Sequence, residues 1–77
     1  MTIDNADLDR LRQAYKDATD AWVASIRAEE ALATPDHSVH AWEVWEQAGF
    51  RQEEMRGKAK AAKEAYEAGL RLIDYDI

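Results

Sequence analysis

Apolar positions recur along this chain in steps of three and four. Leu8, Leu11, Tyr15, Ala18, Trp22 and Ile26 fall on one helical stripe, with Ala14, Ala21, Ala28 and Leu32 along one flank. That spacing is the mark of an amphipathic helix and predicts helix one over about 4–33. Asp4 or Asn5 can accept hydrogen bonds from the orphan amides at its start, while Asp7 and Asp9 suit the positive end of the helix dipole. A second stripe, Ala41, Trp45, Ala48, Gln52, Met55, Ala59, Ala62, Tyr66, Leu70 and Ile73, keeps the same step almost to the C-terminus. It predicts helix two over about 39–73.

The only proline, Pro35, lies between the stripes. It disfavours helical geometry at Thr34 and has no amide to donate, so the chain is expected to turn over about 34–38. Thr34, Asp36 and Ser38 are all competent N-caps, which leaves the second helix start open between 35 and 39. A reversal centred on Pro35 sets Ile26 opposite Trp45, Trp22 opposite Ala48 and Gly49, Tyr15 opposite Met55, Leu11 opposite Ala59, and Leu8 opposite Ala62. Large residues then meet small ones, the condition for two helices to interdigitate at interior density. Gly49, Gly57 and Gly69 each cost about 1 kcal/mol relative to Ala inside a helix and ask for a packing reason. The expected fold is all-α, a single antiparallel two-helix hairpin over 1–77.

One seam of contact is a small return for ordering 77 residues, at roughly 1.5 kcal/mol of conformational entropy each. Helix two carries a second apolar set opposite the first, Val39, Phe50, Gly57, Ala61, Ala68 and Leu72, with Ala65 on its flank. In the expected register it also runs about ten residues past the start of helix one, leaving Leu70, Leu72, Ile73, Tyr75 and Ile77 with little cover. Both features predict self-association, most simply a homodimer forming a four-helix bundle. The candidate protein-interface residues are Trp42, Phe50, Ala61, Ala68, Leu70, Leu72, Ile73 and Tyr75. Ile73-Asp74-Tyr75-Asp76-Ile77 also alternates in the manner of an edge-adding strand.

Composition supports helices: Ala, Glu, Lys, Leu and Arg make up 38 of the 77 residues. Ten basic residues against 16 acidic give a net charge of −6, so the chain as a whole has no attraction for phosphate polymers or anionic lipid. With no cysteine, disulfides, iron-sulfur clusters, thiolate zinc sites and thiol nucleophiles are excluded. The N-terminal residues carry acids and no apolar run, unlike a secretory signal, and nowhere are there roughly 18 consecutive apolar residues for a membrane span. A cytoplasmic location is expected, with no membrane partner.

The chemistry-bearing residues are few. His37 and His40, with Asp36 and Glu43 nearby, could converge on a divalent metal from one helix face, but the spacing is that of no established metal motif and two surface histidines are expected instead. Adjacent acids such as Glu29 and Glu30, or Glu53 and Glu54, point in different directions on a helix, and a short hairpin offers little concavity in which to shift their pKa values. There is no glycine-rich phosphate loop and no serine with a suitable histidine and acid partner. No catalytic residue, metal or cofactor is expected.

Residues 51–63 reverse the overall charge, with Arg51, Arg56, Lys58, Lys60 and Lys63 against Glu53 and Glu54, and Phe50 beside them as a stacking platform. That is a candidate nucleic-acid footprint. On a helical wheel, however, Arg51 and Lys58 flank one side of the core stripe while Arg56, Lys60 and Lys63 flank the other. Pairing with Asp9, Asp17 and Asp20 of helix one, and within helix two as Glu54 with Lys58 and Glu67 with Arg71, is the preferred expectation. Trp22 and Trp45 are assigned to the seam and Trp42 to its edge. The leading expectation is therefore a small non-enzymatic helical interaction module, a homodimeric scaffold or adaptor binding another protein. A nucleic-acid-binding hairpin dimer is the alternative. An acidic mimic of nucleic acid, using Asp4, Asp7 and Asp9, ranks third.

Overall fold

The structure, a computed structural model, describes residues 3–75. Two helices account for nearly all of it: α1, Asn5–Ala31, and α2, Val39–Tyr75. They lie against each other as a hairpin 60 Å long and 13 by 12 Å across.

Both ends of α1 and the start of α2 are defined by local hydrogen bonds. Asp4, in extended geometry, caps α1 by accepting from the Asp7 amide at 2.8 Å. The helix tightens as it closes, the Leu32 amide donating to the Glu29 carbonyl and Ala33 to Glu30. Beyond it the loop descends a staircase of side-chain acceptors: Thr34 Oγ1 takes the Asp36 amide, Asp36 Oδ1 the Ser38 amide, and Ser38 Oγ the Ala41 amide at 3.2 Å. Of the three competent residues, Ser38 is therefore the N-cap of α2.

The seam of α2 follows a strict seven-residue repeat, Ala41, Ala48, Met55, Ala62 and Gly69 alternating with Trp45, Gln52, Ala59, Tyr66 and Ile73. Facing it, α1 offers Leu8, Tyr15 and Trp22 alternating with Leu11, Ala18 and Ser25. The deepest positions are the smallest: Ala48, Ala59 and Gly69 are buried, and no large side chain among the described residues is. At the open end, Leu8, Leu11 and Ile3 all reach the space over Gly69, where a Cβ would lie 2.9–3.1 Å from their δ-carbons. Midway, the Trp22 indole Nε1 donates to Gln52 Oε1 at 2.9 Å. This bond satisfies the polar edge of a half-buried ring.

The register differs from a reversal centred on Pro35. Trp22 meets Gln52, Leu8 meets Gly69, and Glu29 stands beside Gly49. Relative to Trp22 opposite Ala48, Leu8 opposite Ala62 and Ile26 opposite Trp45, α2 is displaced by about one heptad, close to 10 Å of rise. The expected pairs of Tyr15 with Met55 and Leu11 with Ala59 give way likewise: Tyr15 stacks on Tyr66 with ring centroids 6.2 Å apart, and Leu11 reaches Gly69. The physical reason is the loop. Leu32, Ala33 and Thr34 do not reverse tightly but run beside Ala41, Trp42 and Trp45, so the first two turns of α2 project beyond the end of α1. Because both stripes repeat every seven residues, the slide preserves most large-on-small matches, Tyr15–Tyr66 being an exception.

The slide also changes the far end. The start of α1 now covers Leu70 and Ile73, which are half-buried, so the ten-residue overhang expected there does not occur. Ile73, Asp74 and Tyr75 belong to α2 and not to a strand; Asp76 and Ile77 lie outside the described residues, as do the side chains of Asp74 and Tyr75.

Gly69 supplies a direct check of this packing. Gly69→Leu should cost roughly 1–3 kcal/mol by overfilling the space under Leu8 and Leu11. Gly69→Ala, whose methyl meets only the movable ends of three side chains, should be nearly neutral. Thermal melts followed by circular dichroism read both.

Candidate interaction surface

Such a slender molecule leaves much of itself uncovered. Its accessible surface is 6037 Å², against about 4,800 Å² for a compact monomer of this mass. Val39 is 73% exposed, Phe50 67% and Trp42 54%, and Val23, Ile26, Leu32, Val44 and Trp45 are exposed with them. All eight belong to residues 23–50, the half of the hairpin next to the loop. Among the described residues, Leu72 is the exposed large apolar residue at the open end. Most of the net negative charge also lies in the half next to the loop: residues 20–50 hold Asp20, Glu29, Glu30, Asp36, Glu43 and Glu46 against the single cation Arg27, −5 of the chain's −6.

Three shallow grooves run end to end along one flank of the seam. The first, about 310 Å³, lies between the loop and the first turns of α2 and is lined by Leu32, His37, Trp42 and Trp45 among others. The second, about 270 Å³, shares Trp45 and continues through Glu29, Glu46, Gly49, Phe50 and Glu53. Glu29 Oε2 is buried there with no hydrogen-bond donor from the chain. The third, also about 270 Å³, has Ala59 between Tyr15 and Trp22 and is rimmed by Arg56, Lys60 and Lys63. Glu53 of the second groove is ion-paired with Arg56 of the third at 3.5 Å. The strip is thus continuous and changes sign once, from acidic to basic, at that pair.

The candidate residues distribute as follows. Trp42 and Phe50 lie in the strip, whereas Ala61 and Ala68 are exposed on the outer face of α2 with Leu72. Leu70 and Ile73 face α1, and the Tyr75 side chain lies outside the described residues. Of the basic residues, Arg56, Lys60 and Lys63 converge on one groove, and Arg51 and Lys58 are exposed apart from it. Lys58 pairs with Glu54 at 3.6 Å, and Lys63 and Arg71 share Glu67 at 4.0 and 3.5 Å. Asp9, Asp17 and Asp20 do not reach these cations as expected: Asp9 pairs with Arg12 and Asp17 accepts from Gln13, both within α1. Asp7 likewise pairs with Arg10. The heptad slide and the outward direction of these acids explain this. All the ion pairs among the described residues are exposed intrahelical pairs, each contributing a few tenths of a kcal/mol.

Tyr15 and Trp22, seam residues by their spacing, also line the basic groove, a role that their spacing with Thr19 on one helix flank is able to signal. Among the described residues no group of three or more histidines and acids gathers closely enough to hold a metal ion. No described helix is long and apolar enough to cross a membrane. Compared with known protein families, curated proteins and solved structures, the chain matches none.

The loop holds a carboxylate whose pKa is perturbed. Hydrogen bonds from the Ser38 amide and hydroxyl, and then the neighbouring His40, hold Asp36 below the usual carboxylate value. A carboxylate depressed by folding stabilises the fold above its unfolded pKa, and that contribution is lost as pH falls through the lower, folded value. The melting temperature of the protein should therefore exceed that of Asp36→Asn, which keeps an acceptor without the charge, near neutral pH. The difference should close in acid, below the ordinary range of an aspartate, in parallel melts across pH.

Proposed function

We propose that this chain is a small non-enzymatic helical interaction module, a homodimeric scaffold or adaptor that binds another protein. The observation carrying this reading is the exposed apolar surface. Trp42, Trp45 and Phe50 stand in solvent on α2, the kind of large amphipathic anchor that concentrates binding energy at protein interfaces. The surplus of about 1,200 Å² per chain over a compact monomer exceeds the roughly 800 Å² that a standard interface removes from each partner. Pairing two hairpins as a four-helix bundle is the simplest way to cover it. The shallow grooves and exposed carboxylates offer no desolvated pocket in which acid/base catalysis could operate.

A second reading draws on the basic groove. Arg56, Lys60 and Lys63 around Tyr15 and Trp22 combine cations with aromatic faces, as single-stranded nucleic-acid sites do. Against it stand the carboxylates already paired with Arg56 and Lys63 and the net charge of −6.

Capture from lysate with and without nuclease separates the two, with protein partners expected to survive the treatment. Sedimentation equilibrium at micromolar concentration should give twice the 8.8 kDa chain mass. A folded chain that remains monomeric up to about 100 µM would remove the self-association from this reading.

A further inference from the structure

We infer that the grooved flank is where a second copy of this chain docks, antiparallel, with the two-fold axis crossing α2 near Glu53 and Arg56. The inference rests on the self-association proposed above and assigns it a face, an orientation and a set of contacts.

Charge sets the orientation. On the loop side of that point the strip presents Glu29, Glu46 and Glu53; on the other side it presents Arg56, Lys60 and Lys63. Two copies aligned parallel would set like charges together. Only a two-fold axis across the strip places each acidic half on the other copy's basic half. Glu46 lies seven residues before Glu53, and Lys60 and Lys63 lie seven and ten after it. An axis at Glu53 and Arg56 therefore brings Glu46 of each copy to Lys60 and Lys63 of the other. Glu29 Oε2, which has no donor within the chain, lines the acidic half that receives those cations.

Shape supports the same arrangement. Phe50 lies about as far before the axis as Ala59 lies after it, so the exposed ring of each copy seats in the groove between Tyr15 and Trp22 of the other. The glycines supply an independent argument. Gly69 packs under side chains of its own chain, but a Cβ at Gly57 would meet nothing within 4 Å, and one at Gly49 only ordinary contact with Glu29 at 3.9 Å. Neither is explained by packing within the hairpin, although each weakens the helix relative to alanine. Gly49 lines the strip, and Gly57 lies one heptad beyond Phe50 at the same helical position; close to the proposed axis, the absence of side chains at both lets two copies of α2 approach closely.

The test uses the whole chain and its oligomeric state. Glu46→Lys and Lys60→Glu should each raise the dimer dissociation constant about tenfold or more, because each places like charges at two symmetric contacts. Mixing the two variants should restore association as a heterodimer, and the double variant E46K/K60E should dimerise on its own. Gly57→Ala should raise the thermal stability of the dilute monomer while weakening the dimer, opposite signs that a purely intrachain role does not produce. Circular dichroism establishes that each variant folds. A wild-type chain that stays monomeric at about 100 µM, a concentration at which even weak pairs form, would remove self-association altogether. A wild-type dimer indifferent to both charge reversals, or swaps that fail to rescue each other, would leave self-association standing and overturn this face and orientation.

Discussion

Two helices packed as a hairpin touch along a single line, and the residues on that line decide everything else about this molecule. Here the line is built at its closest points from Ala48, Ala59 and Gly69. Small side chains let the backbones come near, which multiplies short-range dispersion contacts, but they contribute little apolar area of their own. The larger groups, Leu8, Tyr15, Trp22 and Tyr66, flank the line and stay half-buried. An elongated shape with rings in solvent is the direct result.

Polar interactions do not compensate. The ion pairs run along each helix and not between them, so they support the two cylinders and leave the hairpin angle to packing. The Trp22–Gln52 bond is the side-chain hydrogen bond that crosses the seam among the described residues. It orients one indole and fixes one level of the register, a role of specificity more than of strength.

The two helices, the turn around Pro35 and the outward second face of α2 were all legible in the sequence, because three-and-four spacing survives any choice of partner. The alignment was not. A pattern that repeats every seven residues matches itself again after a slide of seven, so Leu8 is served as well by Gly69 as by Ala62. What breaks the tie is the path of residues 32–38, and that path depends on the acceptors of Thr34, Asp36 and Ser38 acting in series. Composition shows those residues as cap-formers but not which of them will be used. The candidate surface was partly legible for the same reason. Trp42, Phe50 and the split of the basic residues between two flanks follow from the helical wheel. The gathering of Tyr15 and Trp22 with Arg56, Lys60 and Lys63 needs the true alignment.

The projection of α2 past the last turn of α1 gives the molecule an order of opening. Its first two turns have no second helix beside them, only the loop lying against Trp42 and Trp45, so their amides rest on fewer buried neighbours than those farther along. Local unfolding draws on regions of this kind. Fluctuations should begin at the loop and fade toward Gly69, where three aliphatic side chains converge over one bare backbone position. The connected end of the hairpin is thereby its looser end, and the end closed over Gly69 its firmer one.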